Sequence, residues 1–206
     1  MNELDFSAFL VSRVCHDLVS PLGAVVNGLE VLEDERDAAM RADALKIVAS
    51  SAAQALARIQ FMRIAFGAAG SAGAELDLGE VGRLVTGLFS GSKITVQWQV
   101  PEVHWPKDWA KLLMNAALLA ADCLPRGGVV TVTAGADAAA PSFRIRAGGA
   151  HARVLDEVEK AVRGEANSTI VDARGVQPFL THKLARALNA GLVLTSGEGL
   201  VELVAG

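Results

Sequence analysis

Apolar residues recur at helical intervals along the first third of the chain. Phe6, Leu10, Val14, Leu18, Leu22, Val25, Leu29 and Leu32 follow three- and four-residue steps, which puts them on one stripe of a helix predicted over residues 6–34. A second helix is predicted over residues 39–66. Leu45, Val48, Ala49, Ala52, Leu56, Ile59, Met62 and Phe66 form its stripe, and Lys46, Gln54, Arg58 and Arg63 lie off it. The charged run 33–37 between the two reads as a solvated turn. A two-helix hairpin buries its apolar faces poorly alone, so the stripes predict a partner. Two hairpins around a two-fold axis would make a dimeric four-helix bundle.

The pattern then changes. Residues 67–75, GAAGSAGAE, carry three glycines and no large apolar side chain, which marks a linker between a first domain (1–66) and a second (76–206). Beyond it, a short strand at 76–78 and a helix at 80–89 precede a run in which Ile94, Val96, Trp98 and Val100 alternate with polar residues. That run is a strand with one buried face, ended by Pro101. Pro106 suits the first turn of a helix whose stripe is Trp109, Leu112, Leu113, Ala116, Leu119, Ala120 and Cys123. Strands are predicted at 129–134, 142–147, 191–196 and 200–204, with helices at 153–163 and 178–189. The fold class is α+β: a helical hairpin followed by a two-layer α/β sandwich with helices on one sheet face.

Candidate chemistry sits on the first helix. On a face separate from the apolar stripe, helical spacing stacks Ser12, His16, Ser20, Gly23 and Asn27, so one imidazole stands exposed among short side chains. A partner's backbone could approach it closely. Asp17 follows directly, and Pro21, five positions on, removes a backbone donor inside an otherwise continuous helical pattern. Cys15 diverges from His16 by about 100° around the helix and reads as a packing residue. His104, His151 and His182 are scattered, without metal-ligand spacing, and read as surface or strand-end residues. Ser12, Arg13, Ser20, Gly23 and Asn27 are the expected partner-docking residues.

His16, Asp17, Leu18, Pro21 and Leu22 resemble the H-box of the dimerisation and phosphotransfer domains of two-component histidine kinases. The longer run, with Cys15 before it and Gly23, Asn27, Gly28, Leu29 and Glu30 after it, is similar to the ChpT-type histidine phosphotransferases of alphaproteobacterial cell-cycle phosphorelays. The resemblance implies a homodimer in which His16 is phosphorylated and Asp17 assists. It also implies a hybrid histidine kinase's receiver domain as donor, CtrA- and CpdR-like response regulators as acceptors, and Mg2+ held by the receivers. Residues 111–116, KLLMNA, resemble the N-box of the histidine-kinase ATPase (Bergerat) fold, with Asn115 at the magnesium-binding position. The rest of that site departs from the pattern. Ala147 stands where an Asp reads adenine, and Gln177 and Pro178 stand in the phosphate turn, where proline has no amide hydrogen to donate. No ATP binding and no cofactor of the protein's own are therefore expected. Two alternatives stay open: an active ATP-dependent histidine kinase, and a non-catalytic dimeric adaptor.

Composition narrows the setting. The 206 residues are 51% hydrophobic, ample for a core, and the net charge of −4 offers no basic field for nucleic acid. The most apolar run, 112–124, is too short to span a bilayer and predicts a buried helix. Glu3 and Asp5 replace the basic start of a signal peptide. The two cysteines are far apart and suggest reduced thiols. A cytoplasmic protein without membrane attachment is expected.

Overall fold

The computed structural model describes residues 2–67, 74–165 and 175–206; residues 68–73 of the predicted linker lie outside them. Helix α1 spans Glu3–Asp34 and α2 spans Ala38–Ala65. The start of α1 is fixed by Asn2, whose side chain accepts a hydrogen bond from the Asp5 amide, with Glu3 and Asp5 placed favourably in the first turn. Between the helices, the Glu35 carboxylate accepts from the amides of Arg36 and Asp37, and Asp37 caps α2 through the amides of Ala39 and Met40. The charged turn is a double capping device.

The seam of the hairpin is made of small residues. Ala44 and Ala55 are buried on α2, and Gly28 is buried on α1. A Cβ at Gly28 would lie 2.6 Å from Val48 Cγ2, so only glycine permits this approach of the helices. Many larger apolar side chains stay outside. Val11, Val19, Leu22, Val26 and Leu29 form a second, exposed stripe on α1, joined on α2 by Met40, Leu45, Ile47, Leu56 and Ile59. The predicted stripes are therefore divided. Phe6, Leu10, Val14 and Leu18 are half-buried, whereas Leu22, Leu29, Leu45, Leu56 and Ile59 face outward. Helix α1 is also long and apolar enough to cross a bilayer, at a mean hydropathy of 1.4. One such helix is weak evidence for a span, and this one carries Arg13, His16 and Asp17 within it.

The rest of the chain gives β1 (Glu75–Asp77), α3 (Leu78–Leu88), β2 (Ile94–Gln99), β3 (His104–Pro106), α4 (Lys107–Asp122), β4 (Gly128–Ala134), β5 (Phe143–Gly148), α5 (Asp156–Val162), α6 (Val176–Ala187), β6 (Val193–Gly197) and β7 (Leu200–Ala205). Five strands form one sheet in the order β2-β4-β5-β7-β6, with β2 parallel to β4 and the other pairs antiparallel. Strand β5 shows the layering. Phe143, Ile145 and Ala147 point into the core, while Arg144 and Arg146 face solvent and pair with Glu202 of β7. The architecture is the expected α+β one.

Two features differ from expectation. Strand β3 pairs antiparallel with β1, a ribbon that three residues ending on a proline, Pro106, do not announce. The hairpin and the α/β body also share one core, in which Phe61, Met62 and Ala65 of α2 pack with Leu78, Trp105 and the helix α4. From Ala110 to Ala121 every residue of α4 is buried, so it is the central helix.

Candidate functional site

His16 lies midway along α1, with its side chain 77% exposed. Its Nδ1 is 3.2 Å from Oδ1 of Asp17, the rotamer-dependent contact that adjacency alone does not dictate. An ionised carboxylate only accepts, so a neutral imidazole in this contact carries its proton on Nδ1 and its free lone pair on Nε2. Asp17 is itself held: its Oδ2 accepts from Arg13 Nε at 2.9 Å, one turn back on the same helix. Arg13 also reaches Oδ2 of Asp122, at the end of α4, at 3.3 Å. The chain His16–Asp17–Arg13–Asp122 thus runs from the exposed ring to the α/β body.

Charge and burial set the character of this chain. The Arg13 side chain is 13% exposed; burial works against its charge, but the carboxylates of Asp122 and Asp17 outweigh it and raise its pKa further. Loss of solvent around it pushes the Asp122 carboxyl above its usual value, against the pull of Arg13. Asp122 keeps 46% of its side chain accessible, so solvent moderates that push.

These residues line a cleft of ≈ 500 Å³. One wall is Arg13, His16 and Asp17 of α1; the other is Leu119, Asp122 and Cys123, together with Arg153, Leu155, Val158 and Pro178. Ser12, Ser20 and Gly23 are exposed around His16, and a Cβ at Gly23 would meet nothing within 4 Å. Asn27 is exposed too, but it lines a separate groove with Gly28, Val31 and Met40. Arg13 is placed otherwise than a docking residue, because its guanidinium is spent on Asp17 and Asp122. Cys15 is exposed rather than packed, since it continues the outward stripe from Val11 to Val19. Asp122 and Arg153 were not singled out by sequence reasoning. The one signal was a carboxylate closing the apolar run of α4.

The other histidines are elsewhere. His104 is an exposed strand end, and His151 is exposed beside Arg126 Nη1 at 2.8 Å. His182 is half-buried, stacked on Phe179, with Nδ1 2.7 Å from the Val162 carbonyl. No cluster of His, Cys, Asp or Glu among the described residues could hold a metal.

Asn115 has a structural task. It is fully buried, and its Nδ2 donates to the carbonyls of Ala65, at the end of α2, and Lys111. Lys111 Nζ donates to Gly67 O at 2.8 Å, so α4 satisfies the carbonyls that the end of α2 leaves open. Gln177, also fully buried, donates to the Asn115 backbone carbonyl at 2.8 Å. Pro178 occupies the first turn of α6, where an amide has no intrahelical acceptor and its absence costs little.

Residues 78–199 match the family model of the histidine phosphotransferase C-terminal domain. The protein phosphotransferase ChpT of Brucella abortus (strain 2308) is 40% identical over 185 residues, covering 90% of this chain and 87% of that protein. A solved structure described as a bacterial phosphotransferase matches with a TM-score of 0.89 at 35% identity, covering 100% of this chain and 98% of that one. The chain belongs to the histidine phosphotransferase family.

Proposed function

We propose that this protein is a phosphoryl carrier of a bacterial phosphorelay, with His16 as the residue that is phosphorylated. The observation that carries the reading is the exposed imidazole whose Nδ1 faces Asp17, leaving Nε2 as the nucleophile. Nε2 attacks the phosphorus of a receiver's aspartyl phosphate. The N–P bond forms as the P–O bond to the acyl oxygen breaks, and the carboxylate leaves with the electron pair. Asp17 offsets the positive charge that develops on the ring. Arg13 keeps Asp17 in place. The receiver supplies the aspartate and the Mg2+ site.

In this reading the donor is the receiver domain of a hybrid histidine kinase, and the acceptors are CtrA- and CpdR-like response regulators. Ser12, Ser20 and Gly23 leave room for the receiver's backbone. The protein works in the cytoplasm as a homodimer, supported by the exposed apolar stripes of α1 and α2. ATP is not its phosphoryl donor: Asn115 is consumed by capping, and Ala147 turns its methyl group into the core.

Incubation with a phosphorylated receiver should place acid-labile label on this chain, and His16→Ala should abolish it while leaving the fold intact. An exposed helix position changes stability by less than about 0.5 kcal/mol. Label persisting in His16→Ala would move the site to another histidine. Gly23→Leu should slow transfer from the receiver without removing the nucleophile. Calorimetry with Mg2+ and ATP should register no binding at micromolar concentrations, and clear binding would favour the kinase alternative.

A further inference from the structure

In an α-helix the carbonyl of residue 17 accepts from the amide of residue 21. Here residue 21 is Pro21, which has no amide hydrogen and whose ring crowds the carbonyl four residues back. Asp17 is therefore the one residue around His16 whose carbonyl loses its place in the helical ladder. The vacancy is filled from outside: Nη1 of Arg58, on α2, donates to Asp17 O at 2.8 Å. Arg58 is half-buried and makes no ion pair among the described residues, and its Nε is buried without a partner. An unmet buried donor is costly, and the guanidinium carries that cost in the position where its Nη1 serves this carbonyl.

We propose that Arg58 is a positioning residue for phosphotransfer: it replaces the donor that Pro21 removes and thereby holds the Asp17 backbone, and through it the Asp17 carboxylate, against the His16 ring. Pro21 frees the carbonyl, and Arg58 ties the freed carbonyl to the second helix. The orientation of the nucleophile is thus set by the seam of the hairpin. The proposal rests on His16 being the phosphoryl acceptor, but its geometric part does not.

The test is a two-by-two set, Arg58→Met, Pro21→Ala and the double variant, with Arg58→Lys as the conservative replacement. Two quantities are read: the rate of His16 labelling by phosphoramidate, a small donor to imidazole nitrogens, and the His16 ring tautomer from 15N chemical shifts. Arg58→Met should slow labelling roughly fivefold, the worth of one hydrogen bond, and shift the ring away from the Nδ1-protonated tautomer. Arg58→Lys should restore part of both. In the Pro21→Ala background the amide of residue 21 serves the carbonyl, so Arg58→Met should change neither quantity appreciably. Equal effects in both backgrounds would overturn the proposal. Should Arg58→Met fail to fold, folding rescued by Pro21→Ala supports the pairing, and failure in both backgrounds overturns it. Tautomer coupling without any labelling of His16 would defeat the phosphoryl-acceptor reading and leave the positioning role standing.

Discussion

Cys123 sits at the foot of α4, where burial, helped by the neighbouring Asp122 carboxylate, pushes its thiol up to about 12. Only the thiolate is nucleophilic, so a raised pKa delays reactivity until the solution is strongly alkaline. Native Cys123 should stay unmodified by iodoacetamide at about pH 8 and react once unfolding returns its pKa to about 8.5; peptide mass spectrometry checks this. At this scale the sequence was informative where helical period alone decides exposure, as for His16, Ser12, Ser20 and Gly23. It was silent where a partner is remote. Arg13 is turned inward by Asp122, 109 residues away, and nothing local to Arg13 signals that carboxylate.

Two glycines of α1 separate packing from propensity. Gly28→Ala drives a methyl group to 2.6 Å from Val48 Cγ2, and valine on a helix has little rotamer freedom with which to move aside. A loss of about 1–3 kcal/mol is expected. Gly23→Ala meets open space and should gain about 0.5–1 kcal/mol from helix propensity. Denaturant melts of the two variants should move in opposite directions. The long helices α1, α2 and α4 and the alternating strand β5 were legible in the sequence as elements, although the stripes did not say which faces of the helices are buried. Strand β3 was not, because its three residues owe their conformation to pairing with β1 rather than to alternation.

For the whole molecule, the exposed stripes on α1 and α2 call for a second layer. Sedimentation at micromolar concentration should give twice the 21.4 kDa chain mass, and a stable monomer would sink the bundle reading. The glycine-rich stretch 67–75 suggested two separate domains, yet the foot of α2 is built into the core of the α/β body. Composition signals where a chain can bend; it says little about whether the parts on either side then pack together.

The parallel pairing of β2 with β4 also sets an order in time. Antiparallel neighbours such as β6 and β7 are joined by a tight turn and can zip at once, whereas β2 must wait until α4 has crossed over and β4 has been synthesised after it. Helices α1 and α2 precede α4 in the chain. On a ribosome, the segment bearing His16 therefore emerges while α4 is still unmade, and the imidazole is on display before the opposite wall of its cleft exists.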